Sequence, residues 1–322
     1  MHWAVNQYLS EITTNQKATA MHDLGAIYDK VFKLTKEATK DCLVDSSNFK
    51  FYPNPPKMSD LQIVSLAITS ELVQIDSESA LWVELETNHK KRFPSLIHRT
   101  RFNSRKKQLL DYINYCCKSI ASKLNKDEDT FVIDSVPVQV IRNVRENRSS
   151  IFRKETDAIQ AMKGYSAIDK SYYLGYKVHL CCSTSGVMQE FAITSANVHD
   201  SKVAIDVLRN QYDKVIIADK GYISGQLELD LFQESRSVMI TPTRKNQKVQ
   251  FPQYAKFKST RMIIETVFSQ WIDQTNFRKV YAKTFQGLWV RICSKIAAQT
   301  FKQYNNFINN RKISQTKYSF AC

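Results

Sequence analysis

The chain has 322 residues, with 46 Lys and Arg against 31 Asp and Glu, giving a net charge of +15. Its 43% hydrophobic content is ample for two domains or one large one, and the basic excess, spread along the chain, points to a polyanionic partner. Seven cysteines without C-x-x-C spacing suggest neither a disulfide framework nor a zinc site. The lack of a leader pattern or long apolar run reads as a reduced, cytoplasmic protein without a membrane segment.

Residues 1–126 carry helical signals and no alternating strand. After Pro53-Asn-Pro-Pro56, Ser59 and Gln62 form a capping-box pattern for a helix through Leu61, Val64, Ile68, Leu72 and Ile75. A short helix follows from Ser79 to Glu86. A basic helix is expected from Arg99 through Arg101, Arg105, Lys106 and Lys107 to Tyr115. The set reads either as a helix-turn-helix DNA-binding region or as a helical bundle with a solvated basic face.

From Thr130 the period becomes strand-like. Strands are expected over 130–141, 176–183 and 187–194, the last two joined by the hairpin turn Thr184-Ser185-Gly186. Helix 200–210, strand 214–218, helix 224–233, strand 238–241 and helix 259–274 follow. This order predicts an α/β mixed sheet with flanking helices, preceded by the all-α region. The domains expected are 1–126, a catalytic 127–283 with a basic insertion at 142–174, and a helical 284–322.

Asp134 ends an apolar strand run, and so does Asp219. In a sheet that sets strand 130–141 beside strand 214–218 the helical crossover makes the two parallel, so both carboxylates open on one edge. Carboxylates about 4 Å apart repel by about 4 kcal/mol at an effective dielectric near 20, which a cation relieves. Oxygen ligands favour Mg²⁺ or Mn²⁺, and two such ions suit phosphoryl transfer on nucleic acid.

Glu265 lies in a helix on a polar stripe with Arg261, Ser269 and Asp273, where an ordinary Arg–Glu pair four residues apart would look the same. Asp200 competes for the second carboxylate position, although it also reads as the N-cap of helix 200–210. His199 and His179 are expected to be structural or DNA-contacting rather than metal ligands, and Asp157 and Asp169 have weaker claims. Candidate DNA contacts are Arg99, Arg101, Arg105, Lys106, Arg148, Lys163, Lys220, Arg244, Lys245 and Arg261. The insertion adds Arg142, Arg145, Arg153 and Lys154, and Lys248 extends the second basic loop.

Four motifs in order, Ile133-Asp134-Ser135, Ala196-Asn-Val-His-Asp200, Ala218-Asp219-Lys-Gly-Tyr222 and Arg261-x3-Glu265-x2-Phe268-Ser269, carry a resemblance. The chain resembles a bacterial insertion-sequence DDE transposase, closest to insertion-sequence family nine-eighty-two. The resemblance implies a ribonuclease-H-like core in which Asp134, Asp219 and Glu265 are catalytic and ligate Mg²⁺ or Mn²⁺. It also implies metal-dependent cleavage at transposon ends and transfer of a 3′-hydroxyl into target DNA. Double-stranded DNA would be the partner, the protein a homodimer or higher on DNA, and its place the bacterial cytoplasm, with the nucleoid when bound. Related transposases carry a Tyr before the Arg and a Lys after the Glu, where this chain has Lys258, with Phe257 beside it, and Ile272. A structure-specific nuclease without strand transfer, and an inactive DNA-binding relic, are the alternatives.

Overall fold

The computed structural model describes residues 23–141, 152, 159–166, 170–243, 254–278 and 280–320. Arg142, Arg145, Arg148, Arg153, Lys154, Arg244, Lys245 and Lys248, together with Asp157 and Asp169, lie outside them.

The described residues begin with five α-helices: α1 (Leu24–Ala38), α2 (Asp60–Leu72), α3 (Glu78–Asn88), α4 (Arg99–Gln108) and α5 (Leu110–Leu124). At the start of α2 the capping box is complete. The Gln62 N–H donates to Ser59 Oγ at 3.2 Å and the Ser59 N–H to Gln62 Oε1 at 2.8 Å, satisfying two donors that the helix itself leaves free.

The single basic helix expected from Arg99 to Tyr115 is instead two helices, broken at Leu109. On α4 only Phe102 and Lys106 are buried, whereas α5 turns the stripe Ile113, Cys116, Cys117, Ile120 and Ala121 inward. One straight helix could not aim both faces at their partners.

The sheet holds β1 (Thr130–Ile141), β2 (Met162–Ser166), β3 (Ser171–Ser183), β4 (Met188–Ser195), β5 (Val215–Ile217) and β6 (Val238–Ile240). Its order is β2-β3-β1-β5-β6, with β4 also on β3. The β1–β3, β2–β3 and β3–β4 pairs are antiparallel, and β1–β5 and β5–β6 are parallel. Gly186, at φ +76°, closes the β3–β4 hairpin in a conformation that glycine adopts without strain. The insertion at 142–174 is not wholly loop: β2 lies within it, and β3 begins at Ser171, five residues earlier than expected.

Between β4 and β5 runs α6 (Asp200–Leu208), and α7 (Gly225–Ser235) joins β5 to β6. These two helices cover one face of the sheet, over Phe131, Ile133, Cys181, Ile216 and Ala218. The other face, with Val132, Val136, Val138, Leu180 and Ile217, packs against α5, α8 (Tyr254–Thr275) and α9 (Phe285–Ile308). The main core is continuous from Leu24 to Phe320, so the three expected segments share one interior.

Four charged side chains tie the ends of the chain together inside that core. Lys295 Nζ lies 2.8 Å from Glu71 Oε2 and 3.2 Å from Asp76 Oδ1, and Arg291 Nε lies 3.1 Å from Glu71 Oε1. Arg291 also donates to the Asp76 carbonyl at 2.6 Å. Burial of these charges is tolerable because each meets opposite charge, while Arg291, Lys295 and Asp76 make further hydrogen bonds, to the Asp76 carbonyl, the Thr275 carbonyl and from the Asn276 amide.

Candidate active site

On β1 and β5 the register pairs Val132 with Ile217. Asp134 lies two residues further along β1 and Asp219 two residues past the end of β5, close enough for the Asp219 charge to act on Asp134. Asp134 follows Val132 of the main-core face at a spacing of two within β1 and so shares that face. The two carboxylates therefore lie where the short β5 stops beside the middle of β1, which runs on to Ile141, rather than at the carboxyl ends of both strands as expected.

Each aspartate is fixed locally by one backbone donor. The Ser135 N–H donates to Asp134 Oδ1 at 2.7 Å, and the Gly221 N–H to Asp219 Oδ1 at 2.6 Å. The second bond arises because the chain leaves β5 in a one-turn 3-10 helix, Lys220–Tyr222, that Asp219 caps. A Cβ on Gly221 would lie 2.9 Å from Asp219 Oδ1 and 3.6 Å from Asp200 Oδ2, so only glycine fits between these two carboxylates without displacing one.

Burial pushes the Asp134 carboxyl up to about 7, with the charges of Asp219 and Asp200 acting in the same direction. The Ser135 N–H and the Arg261 guanidinium oppose this rise. Negative charge here lacks full compensation. An all-oxygen pair with a surplus of negative charge, Asp134 and Asp219 suit a hard divalent cation.

Asp200 is not the helix cap expected from its position. His199 caps α6, its ring accepting the Ser201 N–H at 3.4 Å and meeting Ser201 Oγ at 2.8 Å. Asp200 is thereby freed for Lys177 Nζ, 2.6 Å away. Sequence reading missed Lys177; its pairing signal is the register that sets it opposite Pro137, three residues beyond Asp134. His179 is buried, its ring bonded to Thr194 Oγ1 at 2.9 Å, and burial lowers its pKa to about 4, so it stays neutral at pH 7. Tyr222, which closes the Asp219 motif, is also fully buried.

Glu265 approaches the pair through Arg261. Both project from α8, where Arg261 Nη2 lies 2.5 Å from Glu265 Oε1 and Nη1 lies 3.8 Å from Asp134 Oδ2. The expected Arg–Glu pair is thus present, and it also reaches β1. Among the described residues no three His, Cys, Asp or Glu are gathered closely enough to hold a metal ion. Asp134 and Asp219 come together, while Glu265 is turned onto Arg261.

The basic candidates divide. Arg105 is half-buried, donating to the Met58 carbonyl at 2.5 Å and lying 2.6 Å from Asp60 Oδ1. Lys106 is buried against Glu78 Oε1 at 2.5 Å. Both hold α4 to its neighbours rather than facing outward. Arg101, Lys163 and Lys220 are exposed, and Arg99 is half-buried. Ile272 packs against the main core, where a lysine would be costly.

No helix among the described residues is long and apolar enough to cross a membrane. A comparison with curated proteins and one with solved structures find no match. A family model described as a transposase DDE domain matches residues 125–301, more than half of the chain and the stretch that carries the whole sheet, both aspartates and α8. With that match laid over this geometry, the chain belongs to the transposase DDE domain family.

Proposed function

We propose that the protein is the transposase of a bacterial insertion sequence, closest to family nine-eighty-two, with a ribonuclease-H-like catalytic core at 127–283. Residues 1–126 form its helical DNA-binding region and 284–322 its C-terminal helical segment. It cleaves double-stranded DNA at the transposon ends and joins the released 3′-hydroxyl to target DNA, working as a homodimer or larger assembly on DNA in the cytoplasm. The observation that carries this reading is that Asp134, on β1, feels the charge of Asp219, just past the end of the adjacent parallel strand β5, within the matched family domain.

Asp134, Asp219 and Glu265 would hold Mg²⁺ or Mn²⁺, with Glu265 turning from Arg261 toward the aspartates. Such ions, when bound, activate the attacking oxygen and stabilise the leaving one. The protein's own groups position the DNA. Lys220, exposed next to Asp219 in sequence, and Arg261, 3.8 Å from Asp134, would meet phosphates flanking the cut. Arg99, Arg101 and Lys163 would take the backbone further out.

The test is cleavage and joining of the element's own ends by the full chain with Mg²⁺ or Mn²⁺, using pre-cleaved ends and a plasmid target as a second substrate. Cleaved and joined products support the reading. Cleavage without joining identifies a nuclease, and binding without either identifies an inactive relic.

A further inference from the structure

We propose that Arg261 is a built-in counter-cation that keeps the third carboxylate away from the metal position until DNA binds. The proposal rests on the reading of Asp134, Asp219 and Glu265 as ligands of one metal site. One guanidinium spans two of those groups, through Nη2 to Glu265 at 2.5 Å and Nη1 to Asp134 at 3.8 Å. A planar fork with separate donors on two nitrogens is suited to such bridging, which an ammonium could not match. The protein thus places its own positive charge between carboxylates that a divalent ion would share.

Two further observations give this contact the character of a latch. Glu265 is half-exposed, its carboxylate bonded at one oxygen to Arg261, and Arg261 is itself only one-quarter exposed, so the pair closes over Asp134. Glu265 also lines an open cleft of about 670 Å³ with Met262, Thr266, Ser269 and Gln74, on the side away from the aspartates, so its side chain is not packed in place. A DNA phosphate offers Arg261 a stronger bidentate acceptor than the single Glu265 oxygen it now engages. Transfer of the guanidinium from carboxylate to phosphate removes a competing cation and frees a ligand together. Metal loading and DNA binding therefore promote one another, and the free protein is protected from cutting without a substrate in place.

The experiment is a Mn²⁺ titration of the full chain, followed by the paramagnetic resonance of free Mn²⁺, without DNA and with a duplex carrying the element's end. Arg261→Gln, without DNA, is expected to bind Mn²⁺ about tenfold more tightly than the wild type, since it loses both the competing charge and the clamp on Glu265. The gain should vanish in the Arg261→Gln, Glu265→Gln double variant. Arg261→Lys, too short to span both carboxylates, should give a smaller gain and controls for folding. Equal affinity of wild type and both Arg261 variants without DNA overturns the latch, as does a gain that survives loss of Glu265. Mn²⁺ binding that is unchanged by Asp134→Asn and by Asp219→Asn would instead overturn the ligand assignment beneath it.

Discussion

Nζ of Lys302 lies 3.1 Å from Oε1 of Gln274, a neutral partner for a nearly fully buried amine. Burial lowers the Lys302 pKa to about 8. The unfolded chain, with an ordinary lysine near 10.5, binds more protons between these values. Stability from this group is therefore complete above about pH 10.5 and is lost as pH falls through 8. The loss amounts to roughly 3 kcal/mol. Lys302→Met should stabilise the protein at pH 7 by about 1–3 kcal/mol, with the gain shrinking toward pH 10 in urea melts.

Asp134 titrates in the opposite sense. Its folded pKa of about 7 stands above the unfolded value near 3.8, so its contribution is full below about pH 4 and is lost as pH rises through 7. In the metal-free protein Asp134→Asn should raise the melting temperature at pH 8 and have little effect at pH 4. Added Mg²⁺ should raise the wild-type melting temperature at pH 8 and leave that of the variant nearly unchanged. Metal-dependent cleavage should fall about tenfold for each pH unit below 7, because proton and metal compete for one carboxylate.

Removal of any one carboxylate, by Asp134→Ala, Asp219→Ala or Glu265→Ala, should lower end cleavage by at least ~10²-fold, a loss that even outer-shell partners of a metal can bring. Duplex binding at low salt should survive. A variant that keeps full activity removes that residue from the site.

Gly221→Ala tests the geometry more gently. The added methyl would press on Asp219 Oδ1 at 2.9 Å. Cleavage should fall while the melting temperature changes by only a few degrees; unchanged cleavage would show that Asp219 need not be held where it is.

In the main core Lys295→Met leaves Glu71 and Asp76 with Arg291 alone. Breaking a buried pair in this way should cost about 3–5 kcal/mol, read as a shift of the urea midpoint. Lys123→Met, which loses an exposed contact to Glu37 at 3.2 Å, should cost less than about 1 kcal/mol.

Much of this arrangement can be read from the residues themselves. The β1 limits, Thr130 and Ile141, and the α2 capping box coincide with expectation, because apolar runs and caps are local signals. So does the nearness of Asp134 and Asp219, which follows from crossover rules rather than from a contact.

What stays hidden is long-range. Nothing near Asp200 announces Lys177, 23 residues away, and a histidine cap looks no different in sequence from an aspartate one. The strand β2 escapes because Met162, Lys163 and Tyr165 are all exposed, so no apolar alternation marks it. Its Gly164 lies where a Cβ would come within 2.8 Å of the Ala196 carbonyl, a steric demand visible only in three dimensions. Arg261 is the subtlest case. The helical spacing reveals its pairing with Glu265, but the reach to Asp134 depends on how α8 lies across the sheet.

The placement of α9 also sets an order of events at the ribosome. This helix packs on α2, α5 and α8 in the one core that joins Leu24 to Phe320. Helices made earlier, α2 and α5 among them, must wait with apolar faces uncovered until residues 285–308 have emerged. A nascent chain can form its sheet earlier, but α8 finds its final seat over Asp134 only once α9 closes behind it. The cover over Asp134 is thus completed only after residues 285–308 have been made.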